Sequence, residues 1–233
     1  MCPAPTPSVL VTGASRGLGL EFVRQYLDDG WRVHATCRDL GRCGGLCDIA
    51  NERLSIHALE VTEKSSIERL VAEIGSAAID VLISNAGVIG PRGMNPEAVD
   101  RDSWLETFAV NTIAPLAIAG AFRRNLLKGR YKKAIAISSR LGSISLDESG
   151  GQYAYRSSKA ALNAAWRALA LDWAGDGMSC ITVHPGWVRT DMGGAQAEIE
   201  PSVSVAGIRR IIERLVPEQS GRFFNFDGEE LPW

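Results

Sequence analysis

The chain has 233 residues, of which 45% are hydrophobic and 22% are charged, a composition that supports a substantial core and excludes a disordered protein. With 25 basic and 27 acidic residues the formal net charge is −2, so there is no excess of positive charge for nucleic acid or for an anionic membrane. The chain has neither the run of about eighteen apolar residues that a spanning helix needs nor the basic and then apolar start of a secretory signal, so we expect a cytoplasmic globular protein.

Segments typical of strands and of helices alternate along the whole chain. Apolar, β-branched runs predict seven buried strands, at residues 9–11, 33–37, 54–59, 81–84, 134–138, 180–183 and 223–224. Apolar residues at helical spacing predict helices at 18–29, 65–74, 103–127, 155–173 and 203–215. Gly30 is expected to stop the first helix, and Ser65 and Glu68 form a capping box that begins the second.

This alternation predicts an α/β fold, a single-domain Rossmann-type, doubly wound parallel sheet of about seven strands with helices on both faces. We expect one domain over residues 1–233, of which 1–7 form a flexible N-terminus.

The five cysteines are an odd number for a disulfide framework, and a chain of this length does not need one. Soft metal ligands cluster in one region, at His34, Cys37, Cys43 and Cys47. However, the cluster has no C-x-x-C pair, and His34 and Cys37 point to opposite faces of a predicted strand. We therefore predict no metal site and interpret the cysteines as reduced thiols.

The first predicted strand is followed directly by the segment Thr12-Gly-Ala-Ser-Arg-Gly-Leu-Gly19. Its glycines allow a tight turn, a close approach of the backbone to a pyrophosphate and close packing of the next helix, whose N-terminus favours anions. A bare turn can also need glycine, but the position between a strand and an amphipathic helix favours a dinucleotide site. The predicted cofactor contacts here are Gly13, Ser15, Arg16, Gly17, Leu18 and Gly19.

The end of the second predicted strand bears on which nucleotide binds. NAD proteins usually carry an acidic residue there, which bonds the ribose hydroxyls. This chain has Arg38, and Asp39 follows one place later. Arg16 and Arg38 can together bind a 2′-phosphate with charge-assisted bonds. Because both arginines fall where that phosphate would lie, we favour this role over two arginines that are only solvated, and we predict NADP(H) as the cofactor.

Tyr155 and Lys159 form a Y-x-x-x-K pair on a predicted helix, where residues four apart lie on one face. A free phenol has a pKa of about 10, and a lysine cation beside it favours the phenolate. Ser139 ends the fifth predicted strand, where its hydroxyl can bond a substrate carbonyl, although serine at a strand end is more often a turn former. The amide of Asn111, within a predicted helix, fits a structural role as well as a functional one.

Two further turns are expected at the same edge of the sheet. Residues 85–87, Asn-Ala-Gly, close the fourth predicted strand, where their backbone can approach a cofactor. Residues 184–191 follow the sixth strand, and Thr190 there can bond a carboxamide. Because Pro-Gly pairs such as Pro185-Gly186 mark turns in many proteins, this interpretation depends on the neighbouring motifs.

Together these motifs resemble those of the short-chain dehydrogenase/reductase family, in the same order and over nearly the whole chain. They are T-G-x-x-x-G-x-G at 12–19, N-A-G at 85–87, Asn111, Ser139, Y-x-x-x-K at 155–159 and P-G at 185–186. Residues 153–163, 185–194 and 226–233 further resemble the sniffer and C-factor-like carbonyl reductases.

The resemblance implies an NADPH-dependent enzyme that reduces an aldehyde or ketone to an alcohol by hydride transfer. It implies that Tyr155 protonates the substrate oxygen, that Lys159 holds the nicotinamide ribose and tunes Tyr155, and that Ser139 orients the carbonyl. Asn111 is implied to keep a relay water connected to Lys159. The implied cofactor contacts beyond the glycine turn and Arg38 are Glu60, Val61, Asn85, Ala86, Gly87, Tyr155, Lys159, Pro185, Gly186, Val188 and Thr190.

Three departures from the family pattern are visible. Glu60 stands where relatives commonly have an aspartate that contacts adenine. The separation of Ser139 from Tyr155 is longer than in most relatives, so we expect the loop at 141–151 to reshape the substrate entrance. Only a short segment lies between residues 192 and 203, where many relatives have a longer lid, and this favours an open site that accepts varied carbonyls.

Two other functions stay open: a narrow dehydrogenase for one metabolite, such as a 3-oxoacyl thioester or a steroid, and a dinucleotide-sensing signalling protein. No residue distinguishes the narrow dehydrogenase from a reductase of many carbonyls. The intact set of Ser139, Tyr155 and Lys159 favours an enzyme over a sensing protein. In relatives, helices equivalent to 103–127 and 155–173 pair across a two-fold axis, so we expect a homodimer or homotetramer; a monomer that packs the same helix faces internally is the alternative. The expected partner is a small-molecule carbonyl substrate, not nucleic acid or a membrane.

Overall fold

A computed structural model describes residues 6–146 and 149–233. The flexible N-terminus expected at residues 1–7 falls on residues 1–5 for the most part, which lie outside the described residues.

A parallel sheet of seven strands forms the centre of the molecule. The strands are β1 (Ser8–Val11), β2 (Arg32–Cys37), β3 (Leu54–Ala58), β4 (Val81–Ser84), β5 (Lys133–Ile137), β6 (Ser179–His184) and β7 (Phe223–Asn225). Their spatial order is β3-β2-β1-β4-β5-β6-β7, and Val9 at the centre lies opposite both Val33 and Val81. The order reverses between β1 and β4, so the crevice outside their carboxyl ends is where such sheets bind ligands.

Helices cover both faces of this sheet. They are α1 (Gly17–Asp28), α2 (Lys64–Ile74), α3 (Arg101–Phe108), α4 (Ala114–Ala121), α5 (Arg123–Lys128), α6 (Tyr153–Asp172) and α7 (Pro201–Arg214). Side chains alternate along a strand, so Val9 and Val11 belong to a core with α1 and α7, whereas Leu10 belongs to a core with α2, α4 and α6. The doubly wound sheet predicted from the sequence is confirmed.

The beginning of α2 differs from the prediction. The helix starts at Lys64 with Glu63 at its N-cap and without a side-chain cap, so the capping box assigned to Ser65 is wrong. The serine that matters is Ser66, whose buried hydroxyl accepts a hydrogen bond of 3.0 Å from the Glu60 backbone and thereby ties α2 to the end of β3.

The single helix predicted at 103–127 is also wrong. The segment divides into α3, a π-helical turn over Ala109–Ile113, α4 and α5. A π turn leaves the regular ladder of helical hydrogen bonds, and such turns are frequent at functional sites. The turn holds Asn111, which is completely buried.

The interpretation of Cys43 and Cys47 as reduced thiols is wrong, because the structure joins them in a disulfide with Cα atoms 5.6 Å apart. Cys37 and Cys180 are free and buried. Within residues 6–146 and 149–233, no three His, Cys, Asp or Glu side chains are grouped as metal ligands. In the same residues, no helix has the length and apolar character needed to cross a membrane.

Candidate active site

A cavity of about 300 Å³ opens at the carboxyl edge of the sheet. The turns after β1, β3, β4 and β6, the ends of β2 and β5, and one face of α6 form its walls. The glycine turn and the Tyr155–Lys159 pair, which are far apart in the chain, therefore face one space.

Glycine is required in the first turn by close packing as well as by conformation. Gly13 has a φ of +64°, and a Cβ there would lie 2.8 Å from the Ala86 Cα. A Cβ on Gly19 would lie 2.3 Å from the Gly13 carbonyl oxygen. The first position brings the turn against the segment after β4, whereas the second packs the start of α1 against the turn itself.

A set of hydrogen bonds fixes the glycine turn to the segment after β4. The Thr12 hydroxyl accepts from the backbone N–H groups of Asn85 at 3.0 Å and Ala86 at 3.1 Å. In return, the Asn85 side-chain amide donates to the carbonyl oxygens of Thr12 at 2.9 Å and Gly13 at 3.0 Å. We name these contacts the Thr12–Asn85 clasp. The Asn85 side-chain amide N–H groups are thus hydrogen-bonded to protein carbonyl oxygens, although Asn85 also lines the cavity.

Two arginine side chains line the cavity near the end of β2, where an NAD-binding protein usually has an acidic side chain. Arg16 and Arg38 both line it and are exposed, and Arg16 forms an ion pair of 2.8 Å with Asp191. The Asp39 carboxylate instead accepts from the Gly41 backbone at 2.8 Å within its own turn, and Asp39 does not line the cavity. Glu60 lines the cavity, and one of its carboxylate oxygens accepts from the Thr62 hydroxyl at 3.0 Å.

Tyr155 and Lys159 lie one turn apart on α6, with the lysine Nζ 5.9 Å from the centre of the phenol ring. Burial raises the pKa of Tyr155, and a side-chain hydrogen bond with Ser139 opposes that rise. The Lys159 Nζ donates to the Ile137 carbonyl oxygen at 2.8 Å, and burial lowers the pKa of Lys159 to about 8. The sequence predicted that Lys159 lowers the pKa of Tyr155. In the structure burial raises that pKa instead, and the group that opposes the rise is Ser139.

Asn111 lies behind the cavity wall. Its side chain accepts from the Val88 N–H at 2.9 Å and donates to the Val88 carbonyl at 2.8 Å and to the Ser158 hydroxyl at 3.0 Å. The Ser158 hydroxyl donates in turn to the Tyr155 carbonyl at 2.8 Å. A Cβ added to Gly87 would lie 3.2 Å from the Asn111 oxygen and 3.7 Å from the Lys159 Nζ. Asn111 thus connects the segment after β4 to the turn of α6 that carries the tyrosine.

The loop after Ser139 is held by the last residues of the chain. The Ser143 hydroxyl donates to the Pro232 carbonyl at 2.7 Å, and the N–H groups of Ile144 and Ser145 donate to the Trp233 carbonyl at 2.8 and 3.0 Å. This part of the loop expected at the substrate entrance is therefore ordered by contacts, while residues 147–148 lie outside the described part of the chain.

Most of the residues that the sequence singled out for a cofactor face this cavity. The ones that line it are Gly13, Ser15, Arg16, Gly17, Leu18, Arg38, Glu60, Val61, Asn85, Ala86, Gly87, Tyr155, Lys159, Pro185 and Thr190. The residues that do not line it are Gly19, Gly186, Val188, Asn111 and Ser139, of which Ser139 reaches the lining through its hydrogen bond with Tyr155.

Sequence reasoning missed part of the lining. These residues are Cys37, Leu59, Val88, Val110, Ile137, Ser138, Asp191 and Met192. Each lies within two residues of a position that the motifs did mark, so adjacency was the available signal.

Comparisons with known proteins agree with this geometry. The family model for short chain dehydrogenases matches residues 7–200. The C-signal protein of Myxococcus xanthus is 43% identical over 155 residues, which cover 66% of this chain and 93% of that protein. The carbonyl reductase Sniffer of D. melanogaster has a TM-score of 0.92 at 34% identity, covering 98% of this chain and 100% of the other. An NADPH-bound carbonyl reductase from chicken fatty liver has a TM-score of 0.89 at 35% identity, covering 99% and 100%.

Proposed function

Since the chain belongs to the short-chain dehydrogenase family, we propose that it is an NADPH-dependent reductase that converts an aldehyde or ketone to an alcohol. One observation carries the proposal: the Tyr155–Lys159 pair and the glycine turn open into a single cavity. The similar solved structures include carbonyl reductases, one of them with NADPH bound.

The residues present fit a nicotinamide dinucleotide with a 2′-phosphate. The glycine turn has no side chain between its backbone and the cavity at Gly13 and Gly17, and the N-terminus of α1 favours the negative charge of a pyrophosphate. Arg16 and Arg38 would hold the 2′-phosphate, since Asp39 is occupied within its own turn. The other proposed contacts are the lining residues from Glu60 to Thr190 named above.

When bound, NADPH supplies the hydride to the carbonyl carbon. Tyr155 supplies the proton to the carbonyl oxygen, and its raised pKa keeps the phenol protonated at neutral pH, ready to donate. Ser139, hydrogen-bonded to that phenol, stabilises the charge that develops on the same oxygen. Lys159 would hold the nicotinamide ribose, and Asn111 acts as a positioning residue through Ser158.

The test is NADPH consumption measured against a panel of aldehydes and ketones, with Tyr155→Phe beside wild type. Removing a general acid costs about 10²–10⁴-fold in rate, so we expect a kcat lower by at least about 100-fold with an almost unchanged Kd for NADPH. Tyr153→Phe is the matched control, because Tyr153 lies on the same helix, is partly exposed and does not line the cavity. Equal loss in both variants, or none in Tyr155→Phe, would exclude the proposed role.

The likeness to C-signal supports a second function, a signalling protein in which the dinucleotide is sensed and turnover is incidental. The two proposals differ in one outcome. A cellular phenotype of gene deletion that Tyr155→Phe restores as well as wild type supports sensing, whereas failure to restore it supports the reductase. The carbonyl panel also separates a general reductase from a narrow dehydrogenase. Activity with many carbonyls supports the general reductase, and activity with a single one supports the narrow dehydrogenase.

We also propose a homodimer or homotetramer in the cytoplasm. Apolar side chains lie exposed on the segment from the π turn to α4 and at the end of α6, with Ile113 62% and Leu171 69% exposed. Ala164 on α6 is also exposed, and small residues permit close helix pairing. Sedimentation of wild type and of Ile113→Glu tests this assembly, with a monomeric wild type as the contradicting result.

A further inference from the structure

The Cys43–Cys47 disulfide closes a short segment that packs against the glycine turn. Cys43 is buried in the core, whereas Cys47 is exposed. A 3-10 turn over Gly44–Leu46 separates them, and their Cα separation of 5.6 Å lies within the usual range for a disulfide. The pair therefore consists of one accessible sulfur and one enclosed sulfur.

The backbone between the two cysteines touches the glycine turn directly. The Gly45 N–H donates to the Ser15 carbonyl oxygen at 3.2 Å. Gly44 has a φ of +56°, and a Cβ there would lie 2.4 Å from that same oxygen, while a Cβ on Gly45 would lie 2.5 Å from a Leu20 methyl. Ser15 lines the cavity assigned to NADPH, so the position of the 43–47 segment determines the position of a proposed cofactor contact.

We propose that Cys43 and Cys47 form a reversible disulfide that strengthens NADPH binding when it is closed. The proposal rests on the proposed function, because NADPH is the ligand whose affinity changes. The partner is a small disulfide oxidant of the glutathione class, which reaches the exposed Cys47 first.

The chemistry balances in two exchange steps. The Cys47 thiolate attacks one sulfur of oxidised glutathione, forms a mixed disulfide and releases one glutathione thiolate. The Cys43 thiolate then attacks the Cys47 sulfur and releases the second glutathione. The protein loses two thiol protons and two electrons, and one oxidised glutathione becomes two reduced glutathiones.

Reduction is expected to loosen this segment without unfolding it. The turn keeps its hydrogen bonds from the Leu46 N–H to the Cys43 carbonyl at 3.2 Å and from the Cys47 N–H to the Gly44 carbonyl at 3.1 Å. Leu46 is fully buried in the core shared with α1. What the open form loses is the covalent restraint on the backbone that meets Ser15, so the effect falls on cofactor affinity.

The experiment measures the Kd for NADPH by fluorescence titration of the full chain, after equilibration with either oxidised glutathione or dithiothreitol. Mass spectrometry after thiol alkylation reports whether Cys43 and Cys47 are joined. Coupling between two sites is typically at least about fivefold in affinity, so we expect the oxidised protein to bind NADPH at least about fivefold more tightly. In Cys47→Ser the two conditions should give one Kd, that of the reduced protein. Cys180→Ser removes a buried cysteine of β6 that lies outside the cavity lining, and it should keep the wild-type difference.

Three results overturn the inference: an equal or weaker affinity in the oxidised protein, a difference that persists in Cys47→Ser, or no Cys43–Cys47 link after oxidised glutathione. Failure of the proposed function has a separate signature. In that case neither redox form binds NADPH, and neither reduces a carbonyl at saturating NADPH, whatever the state of the two thiols.

Discussion

The buried ammonium of Lys159 makes the stability of the cofactor-free protein depend on pH. Burial alone lowers the pKa of Lys159 from 10.5 to about 8. At about 1.4 kcal/mol for each pKa unit, this difference corresponds to about 3 kcal/mol between the two protonation states. We expect Lys159→Met, which keeps an unbranched stem and removes the charge, to abolish that dependence.

The sign follows from proton uptake. Below pH 8 the lysine is protonated in both the folded and the unfolded chain, and above pH 10.5 it is neutral in both. Between these values the unfolded chain binds more protons, so the free energy of unfolding gains about 3 kcal/mol as the pH rises. Lys159→Met also removes the hydrogen bond to the Ile137 carbonyl, a loss that is constant over this range and leaves the slope unaffected.

The assay is urea denaturation of both proteins at several pH values without cofactor, and the quantity of interest is wild type minus variant. Groups such as Tyr155, whose pKa burial raises, destabilise both proteins at high pH and cancel in this difference. Lys64→Met is the control, because Lys64 is exposed at the start of α2 and should leave the wild-type profile unchanged. A difference that stays flat between pH 8 and 10.5 would refute the assignment of Lys159 as a desolvated cation.

Three further substitutions test other parts of the structure. Arg38→Asp should lower the preference for NADPH over NADH, measured as a ratio of kcat/KM, by roughly 10–100-fold, while Arg42→Asp outside the cavity lining should leave it unchanged. Gly19→Ala places a Cβ 2.3 Å from a backbone oxygen and should cost about 1–3 kcal/mol in urea denaturation. Gly120→Ala, at an exposed position of α4 with nothing within 4 Å, should instead stabilise by up to about 1 kcal/mol, and equal effects would contradict the packing argument. Asn111→Ala removes a completely buried amide that pairs with both backbone groups of Val88 and should cost about 1–3 kcal/mol, whereas a loss under 1 kcal/mol would show that water replaces the amide.

Strand positions were predictable because their cause is local. A strand buried on both faces needs a short run of β-branched and aliphatic residues, and the turns that bound it need glycine or proline. Val9–Leu10–Val11 shows the rule, since all three side chains are fully buried, on alternate faces. In parallel sheets the carboxyl ends of the strands lie at one edge, so the sequence alone could assign the motifs that follow these strands to one cavity.

The helical segment around Asn111 was not predictable in the same way. Its apolar spacing is compatible with one continuous helix, and Pro115 is tolerated because it falls in the first turn of α4. The π turn accompanies contacts of Asn111 with Val88 and Ser158, which are distant in sequence. Long-range bonds of this kind have no signature in local periodicity.

The disulfide and the packing glycines were missed for related reasons. The spacing of Cys43 and Cys47 has no strong pattern, and a 3-10 turn over Gly44–Leu46 with Gly44 at a positive φ lies between them. Likewise, Gly19 belongs to the same motif as Gly13, yet backbone atoms of the glycine turn, and not the cavity, occupy the space beside Gly19. A motif names the glycines without saying which of them faces the ligand.

The Thr12–Asn85 clasp has a kinetic consequence. The bonds from the Asn85 amide to two carbonyl oxygens and from two N–H groups to the Thr12 hydroxyl join protein groups to one another, so the shape of the phosphate cradle needs no contact from the nucleotide. A preorganised receptor avoids the ordering entropy that a mobile loop would lose on association. Stopped-flow mixing should accordingly show a single binding phase whose rate constant grows linearly with nucleotide concentration, without the plateau that a rate-limiting rearrangement imposes.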